Sequence, residues 1–391
     1  VNDTFGHEVG DELLTNVAAR LLGCVRRGEV VARLGGDEFA VCIEELEDTR
    51  AVLRLADRIV HAMAPAFHLR GRPVQLTCSI GIAVTDRADC GADELLRHAD
   101  IAMYAAKGSG KNRYEVFEDS MHGELMARVE MESDLRSALD RGVIELVYQP
   151  VIRLGTLEIA GFEALSRWED PRRGSVSPAV FISVAEESGL IHDLGRQTLE
   201  VAVRQAAAWQ AQFPERTPVG MSVNLSSRQL SDSGLVPFVA DLLDDTGLVP
   251  RTLVLEITET VMMGDVDHAI GVLRKFRELG VRLALDDFGT GYSSLSYLHL
   301  LPLDVVKVDQ SFVARVGDET GESLIKAIAG IGDGLGLDLV AEGIEEGEQR
   351  RLLTAAGYRY GQGYLFSRPV TAHDAAELLS LIHISEPTRL Q

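Results

Sequence analysis

Polar side chains with metal-binding atoms recur through the second half of the 391-residue sequence, each at the end of a short apolar segment. The set consists of Glu163, Asn224, Glu256, Asp286 with Asp287, Lys307 with Asp309, Glu342 and Gln362. Carboxylates that converge on one place repel one another, and their pKa values rise unless cations neutralise them. Hard divalent ions with oxygen ligands, Mg²⁺ or Mn²⁺, meet that need. The residue types therefore predict a divalent metal centre.

Eight strand-like segments must position these side chains, and helical stretches separate the segments. The segments cover residues 144–151, 159–166, 219–225, 253–257, 282–285, 305–308, 337–341 and 358–363. The separations from Glu163 to Glu342 are 61, 32, 30, 21 and 35 residues, and most are near the roughly 30 residues of one βα unit in a barrel of about 250 residues. Catalytic groups of such barrels lie at the C-terminal ends of the strands. The pattern predicts a TIM-type (β/α)8 barrel with the metal centre on that rim.

The first part of the chain predicts a smaller domain of mixed α/β structure. Apolar residues recur every four positions from Val9 to Leu21, as in an amphipathic helix. Residues 30–32 and 39–43 are predicted strands, and Gly35 and Gly36 between them indicate a hairpin turn. Further helices are predicted over residues 49–63 and 92–106, with a strand over 74–84.

The motifs of the second half resemble those of the EAL family of cyclic di-GMP phosphodiesterases. Seven motifs stand in the family's order: Glu163-Ala164-Leu165-x-Arg167-Trp168, Asn224-Leu225-Ser226, Glu256-Ile257-Thr258-Glu259, Asp286-Asp287-Phe288-Gly289-Thr290-Gly291, Lys307-Val308-Asp309, Glu342-Gly343 and Gln362-Gly363-Tyr364. The resemblance implies hydrolysis of cyclic di-GMP to linear pGpG, with two Mg²⁺ or Mn²⁺ ions in each site.

The resemblance also implies a ligand set for each ion. The first ion is held by Glu163, Asn224, Glu256 and Asp286. The second shares Asp286 and is held also by Asp287 and Glu342. Two neighbouring ions bridge a water, lower its pKa and stabilise the departing 3′ oxygen. Glu342 doubles as a candidate base for that water.

Further roles follow from the same resemblance. Lys307 either orients the nucleophile or offsets charge on the phosphoryl oxygens, and Asp309 beside it belongs to the catalytic group. The residues implied to contact cyclic di-GMP are Gln149, Arg167 and Gln362, and a structural ion pair is the equal alternative for Arg167. Those implied to support the loop from Asp286 to Ser294 are Glu259, Gly289 and Gly291, the two glycines through their freedom to turn.

The first half resembles the GGDEF family of diguanylate cyclases. The signature is Arg33-Leu34-Gly35-Gly36-Asp37-Glu38-Phe39. The resemblance implies a GTP site in which Gly35 and Gly36 admit the nucleotide and Asp37, next to Glu38, binds metal. The remaining implied contacts are Asn2 and Asp11 to guanine and Lys107 and Lys111 to phosphate.

Two departures argue against cyclase activity in this chain. The family's first strand, which supplies another metal-binding aspartate, should precede Val1 and is not in this sequence. The family's inhibitory motif, Arg-x-x-Asp, reads Arg26-Arg27-Gly28-Glu29 here, and the longer acidic arm disfavours cyclic di-GMP binding. We expect an N-terminally truncated GGDEF domain, with any sensor or membrane anchor upstream.

The predicted organisation is therefore tandem. A partial GGDEF domain covers residues 1–118, a helical linker 119–141, an EAL barrel 142–379 and a non-native tail 380–391. No apolar run in the sequence reaches the roughly 18 residues needed to cross a bilayer, and the four cysteines form no C-x-x-C pair. We read them as reduced thiols of a cytoplasmic protein. A net charge of −22 disfavours a nucleic-acid polymer as partner.

Three hypotheses of function follow. The first is a metal-dependent phosphodiesterase. The second is a regulated pair, in which the GGDEF domain binds GTP and tunes the barrel, or a bifunctional cyclase and phosphodiesterase in the full-length protein. The third, a cyclic di-GMP receptor without catalysis, predicts a broken ligand set, whereas every expected ligand is present. The family resemblance also implies a homodimer.

Overall fold

The structure, a computed structural model, describes residues 7–26, 28–44, 46, 48–86, 90–108, 110–259, 261, 266–289 and 298–380. The chain divides into two compact units, Val1–Glu130 and Met131–Gln391. Each unit has its own hydrophobic core.

The first unit has mixed α/β structure, as predicted. Its described helices are α1 (His7–Cys24), α2 (Thr49–Met63) and α3 (Ala92–Gly108), and its strands are β1 (Val30–Gly35), β2 (Glu38–Cys42), β3 (Phe67–Leu69), β4 (Arg72–Val74), β5 (Ile80–Ile82) and β6 (Tyr114–Val116). Strands β1 and β2 form an antiparallel hairpin, β3 and β4 a second, and β5 and β6 a parallel pair. The strand predicted over residues 74–84 was wrong in its extent, because β4 ends at Val74 and β5 begins only at Ile80.

Helices α1 and α2 pack against each other to make the core of this unit. Leu13 and Leu21 of α1 meet Leu55 and Ile59 of α2 in one buried cluster with Phe67. The apolar residues that recur every four positions in α1 therefore lie on one face of the helix, and this face packs into the core of the first unit. Asp48 begins α2 as its N-cap, because its side chain accepts a hydrogen bond from the backbone N–H of Arg50.

Helix α4 (Asp119–Arg141) covers the segment predicted as a linker. Leu135 and Ala138, near its C-terminal end, are fully buried in a cluster with Phe181 and Leu194 of the second unit. Its last turns therefore belong to the core of that unit. Searching the described residues finds no helix that is both long and apolar enough to cross a membrane.

The second unit alternates strands and helices. The strands are β7 (Ile144–Arg153), β8 (Glu158–Asp170), β9 (Gly174–Val176), β10 (Gly220–Asn224), β11 (Leu253–Thr258), β12 (Arg282–Phe288), β13 (Val305–Val308), β14 (Asp338–Ala341) and β15 (Tyr360–Gly361). The helices are α5 (Pro178–Ser188), α6 (Ile191–Gln212), α7 (Leu235–Thr246), α8 (Val266–Glu278), α9 (Gln310–Val313), α10 (Glu319–Leu335), α11 (Gly347–Ala355) and α12 (Ala372–Ser380). Of the predicted tail, only Ser380 is described, and it ends α12.

Eight strands of this unit close into a barrel, which confirms the predicted TIM-type fold. The pairing runs from β10 through β11 to β15, then to β7 and β8, and β10 pairs in turn with β8. Strand β9 lies outside the closed ring and pairs antiparallel with the end of β8. Outward-facing apolar residues pack against the helices; Trp209 of α6, for example, lies 4.9 Å from the ring of Phe162.

One strand departs from the regular (β/α)8 pattern. Strand β7 is antiparallel to both of its neighbours, β8 and β15. The turn between β7 and β8 contains only Leu154–Leu157, whereas a parallel connection needs a crossover of a dozen or more residues. The first two strands therefore form a hairpin. Gln149 lies inside β7.

Candidate metal centre

Every strand of the barrel contributes one polar side chain to the interior at the same end. Side chains alternate between the two faces of a strand. Because the strands of a barrel are tilted, residues paired directly on neighbouring strands, such as Gln149 with Glu163 and Asn224 with Glu256, belong to neighbouring layers. In the barrel type with eight strands, inward-facing residues form layers of four from alternate strands. The inner layer consists of Glu163, Glu256, Lys307 and Gln362. The outer layer consists of Gln149, Asn224, Asp286 and Glu342.

Lys307 lies at the centre of these two layers. Its Nζ is 3.1 Å from Glu163, 2.7 Å from Glu256, 3.1 Å from Asp286 and 2.8 Å from Glu342. The side chain is only 2% exposed. One buried ammonium therefore neutralises part of the charge of four carboxylates.

Amide side chains complete the contacts of Glu163. Asn224 donates from Nδ2 to Oε1 over 2.9 Å, and Gln362 donates from Nε2 to Oε2 over 2.7 Å. Gln149 is opposite Glu163 in the pairing of β7 with β8, and it donates to the backbone carbonyl of Ser367. The bonds from Asn224 and Gln362 fix the orientation of the Glu163 carboxylate.

The charges in the two layers shift pKa values in opposite directions. Burial would raise the pKa of Glu163, but Lys307 and the two amide donors outweigh burial and lower it. For Glu256, burial dominates and the pKa lies well above its usual value. Burial, opposed by Lys307 and reinforced by Asp286, raises the pKa of Glu342 to about 7. Burial would lower the pKa of Lys307, yet its carboxylate neighbours raise it well above its usual value.

The carboxylates form two overlapping groups that suit metal ions. Glu163, Glu256 and Asp286 bring one oxygen each within 4.8 Å of one another, and so do Asp286, Asp287 and Glu342. Asp286 belongs to both groups. An all-oxygen donor set of this kind fits hard divalent cations. The residues present therefore fit the metal ions that the sequence predicts.

Two adjacent aspartates serve this site because strand β12 is irregular. Neighbouring residues of a regular strand point to opposite faces, so Asp286 and Asp287 should diverge. The pairing of β12 with β13 shifts register between Leu285 and Phe288, and Asp287 has a φ of +53°. A bulge of this kind redirects a side chain, and here it brings the second carboxylate to the rim.

Glu259 contacts the loop that follows β12. Its Oε1 accepts a hydrogen bond from the backbone N–H of Gly289 over 3.0 Å. Residues 290–297, which include Gly291, lie outside the described residues. The contact ties the start of the loop to the end of strand β11.

We expect Gly289→Ala to destabilise the chain by about 1–3 kcal/mol. Gly289 has a φ of +97°, and an added Cβ would overlap the ring of Phe312. Denaturant unfolding measures the loss. Gly271→Ala is the matched control, because Gly271 lies within α8 and its Cβ would meet nothing within 4 Å. Equal stability of the two variants would contradict the assignment of strain to Gly289.

The remaining predicted residues of the barrel lie at the edge of the cluster. Asp309 begins α9, and its side chain accepts from the N–H of Ser311. Arg167 shares an inward-facing register with Glu163 on β8, and its Nη1 donates to the carbonyl of Ser166. Trp168 faces the opposite way and packs edge-on against Phe181 in the core.

The first unit brings some of its predicted nucleotide residues together. Gly36, with a φ of +50°, forms the hairpin turn, and Arg33 donates twice to its carbonyl. Asp11 of α1 lines a cavity of about 460 Å³ with Arg33 and Phe39. Lys107, in the last turn of α3, and Lys111, which follows the helix, are both exposed, and neither is among the described residues that line this cavity. Asn2 lies outside the described residues.

The rest of the signature lies on the exposed hairpin. Asp37 and Glu38 are exposed at the turn and at the start of β2, and Gly35 ends β1. The side chain of Glu29 turns back on its own segment and accepts from the N–H of Arg26 over 2.6 Å.

Fold and site define a TIM-type barrel protein with an acidic, metal-competent centre at one rim. The chain belongs to the EAL domain family, whose profile matches residues 132–369. Residues 1–113 match the profile of the diguanylate cyclase, GGDEF domain. The two domains therefore occur in tandem.

Known proteins resemble the chain across both domains. It is 38% identical over 373 residues to the bifunctional diguanylate cyclase/cyclic di-GMP phosphodiesterase MucR of Pseudomonas aeruginosa, covering 95% of this chain and 54% of MucR. It is 36% identical over 373 residues to the cyclic di-GMP phosphodiesterase PdeR of Escherichia coli, covering 95% and 56%. The chain thus spans about half the length of such relatives. The solved MucR phosphodiesterase in complex with c-di-GMP is 38% identical, with a TM-score of 0.59 over 63% of this chain and 99% of that one.

Proposed function

We propose that the barrel hydrolyses cyclic di-GMP to linear pGpG with the help of two divalent ions, Mg²⁺ or Mn²⁺. The observation that carries the proposal is the presence of two clusters of three carboxylates that share Asp286 and lie beside Lys307. Support comes from the names of the relatives MucR and PdeR and from the c-di-GMP complex of the MucR phosphodiesterase.

The proposal assigns ligands to each ion. Glu163, Asn224, Glu256 and Asp286 hold the first ion, and Asp286, Asp287 and Glu342 hold the second. Ions bound there would activate a water and polarise the phosphodiester. The net change breaks the bond between phosphorus and one 3′ oxygen, so the product carries a 5′ phosphate and a free 3′ hydroxyl.

The side chains of the protein supply positioning and charge. Lys307 holds four carboxylates in place and keeps a positive charge close to the reacting phosphate. Glu342, whose pKa is close to neutrality, is placed to take the proton of the attacking water. Asp309 stabilises the segment after Lys307 through its cap of α9. Gln149, Arg167 and Gln362 face the same end of the barrel and would contact the dinucleotide.

The direct test is to incubate the chain with cyclic di-GMP and Mn²⁺ and to identify the product. We expect linear pGpG, no turnover after chelation, and restored turnover when Mn²⁺ or Mg²⁺ returns. Unchanged cyclic di-GMP that nevertheless binds to the chain would favour the receptor hypothesis and contradict the proposal.

Metal binding should release a proton from Glu342 below neutral pH. A carboxyl group with a pKa near 7 is protonated at pH 6 and ionised at pH 8. Because the metal needs the carboxylate, Mn²⁺ affinity should rise between pH 6 and pH 8. Calorimetry in two buffers of different ionisation enthalpy measures the released protons. Glu342→Gln should reduce the proton release at pH 6 without removing it, because Glu256, whose pKa is also raised, loses its proton when the first ion binds. Persistence of the full release in that variant would contradict the assignment.

The GGDEF domain is proposed to bind GTP and to tune the barrel, and the alternative is a bifunctional cyclase and phosphodiesterase in the full-length protein. The cavity that joins Asp11 to Arg33 beside the glycine turn favours a nucleotide there, with Asp37 and Glu38 near the metal and phosphate. The proposal includes a GGDEF domain over residues 1–118, a linker over 119–141, an EAL barrel over 142–379 and a tail over 380–391. It also includes a homodimer and a cytoplasmic location. A titration with GTP that leaves the rate and the KM of hydrolysis unchanged would overturn the regulatory role.

A further inference from the structure

Asn224 is the last residue of strand β10, at the point where the sheet stops holding the chain. The pairing of β10 with β8 ends one residue earlier, at Val223. On the other side, Leu225 donates from its backbone N–H to the carbonyl of Glu256 over 2.8 Å. The side chain of Asn224 is exposed, and its amide donates to Glu163 over 2.9 Å. Packing therefore does not fix the direction of this amide, and the loop that follows β10 must contribute.

Gln229 braces this loop from within. Its Oε1 accepts a hydrogen bond from the backbone N–H of Ser226 over 3.0 Å, and its own N–H donates to the carbonyl of Ser226 over 3.0 Å. The two reciprocal bonds close the turn between these residues. The side chain of Gln229 is itself held in place by its surroundings, because the residue is only 2% exposed.

Glu186 of helix α5 braces the same loop from outside. The hydroxyl of Ser226 donates to Oε1 of Glu186 over 2.6 Å, a length typical of strong bonds between a hydroxyl and a carboxylate. The side chain of Arg228 donates to the backbone carbonyl of Glu186. The Ser226 hydroxyl also accepts from the N–H of Arg228 over 3.3 Å. Two side chains of the loop therefore fasten it to α5.

Packing alone does not explain a glutamine at position 229. Its Nε2 is buried and has no hydrogen-bond partner among the described residues, and a buried donor without a partner destabilises a fold. The amide occupies space left by Gly195 of α6, where a Cβ would lie 1.8 Å from Nε2. Glycine inside a helix lowers stability as well. An apolar side chain of similar size would avoid the unpaired donor, whereas only an acceptor can bind the N–H of Ser226.

We propose that Gln229, Ser226 and Glu186 are positioning residues, which direct the amide of Asn224 toward the first ion. None of the three is a proposed metal ligand, and they act through the backbone that leaves β10. The inference rests on the proposed function, because it takes Asn224 as a ligand of that ion. The proposed ligands of the second ion lie on β12 and directly after β14, so the effect should be selective for the first ion.

Gln229→Met tests the inference, with Mn²⁺ binding measured by calorimetry in the absence of cyclic di-GMP. We expect the affinity for one Mn²⁺ to fall about tenfold to 100-fold, the range for lost partners that orient metal ligands, with a smaller change or none for the other ion. The melting temperature should change little, because the substitution removes one unpaired buried donor and leaves one backbone N–H unpaired. Normal binding of both ions, or an equal loss for both, would overturn the inference.

Ser226 supplies a second pair of variants, which stays informative even if Gln229→Met folds poorly. Ser226→Ala loses the bond to Glu186 and should weaken the same ion about tenfold, whereas Ser226→Thr keeps a hydroxyl and should bind Mn²⁺ as the parent protein does. Ser183→Ala is the matched control, because Ser183 forms an exposed bond of 3.5 Å with Glu187 on α5. Equal Mn²⁺ affinities of the two Ser226 variants, or an equal loss in the control, would contradict the positioning role.

Asn224→Ala distinguishes failure of the inference from failure of the proposed function. It should weaken the same ion at least as much as Gln229→Met does. Unchanged Mn²⁺ binding in Asn224→Ala would show that the ligand assignment is wrong, and the inference would fall with it. If Asn224→Ala weakened Mn²⁺ binding while Gln229→Met and Ser226→Ala did not, the ligand assignment would stand and only the inference would be wrong.

Discussion

Replacing Lys307 with Met is expected to abolish hydrolysis and to destabilise the metal-free protein. The ammonium lies within 3.1 Å of four carboxylates, two of which are 6% exposed or less. Removing one partner of a buried ion pair costs about 3–5 kcal/mol, which for a domain of this size lowers the melting temperature by roughly 10 °C. The rate should fall by at least about 100-fold, the size of effect seen when a charge-stabilising group is removed.

Metal ions should reverse part of this loss of stability. A divalent cation among the same carboxylates supplies the missing positive charge, and binding to the folded state alone stabilises it. Melting curves of Lys307→Met with and without Mn²⁺ measure the rescue, which we expect to exceed the gain of the parent protein. Lys326→Met is the control, because Lys326 forms an exposed pair with Glu322 on α10 and should change stability by less than about 1 kcal/mol. A Lys307 variant no less stable than this control would show that the carboxylates do not need the ammonium.

Glu163→Gln should lower the rate of hydrolysis by about 100-fold to 1,000-fold. The carboxylate accepts from Asn224 at one oxygen and from Lys307 and Gln362 at the other. A glutamine places a donor against one of these donors, which costs about 1–3 kcal/mol, and it removes the negative charge that would hold the first ion. Mn²⁺ affinity, measured by calorimetry, should therefore fall together with the rate.

A matched substitution on the same strand shows whether the loss comes from the charge at the metal site or from any loss of one negative charge on the protein. Glu169 lies at the exposed end of β8, and Glu169→Gln should leave both the rate and Mn²⁺ affinity unchanged within about twofold. If Glu163→Gln kept near-native hydrolysis, the metal assignment of the inner layer would be wrong.

The candidate site was largely predictable because its chemistry lies in residue type and position along each strand. Glu256 and Lys307 lie near the ends of short apolar segments, which indicates buried strands that reach a rim. Glu163 lies in the middle of the long strand β8, and the family resemblance singled it out. The loop support by Glu259 also followed from its motif, and the structure does place its carboxylate against Gly289. The bulge that redirects Asp287 left no comparable signal, since it depends on the pairing of β12 with β13.

The sequence by itself determined which side chains the barrel would carry and that they would include a metal-competent acidic set. Only the tertiary structure decided their arrangement: the reversed direction of β7, the two layers of four and the central place of Lys307. The physical reason is closure. Which residues of different strands are level depends on the stagger around a closed barrel, and no single segment contains that information.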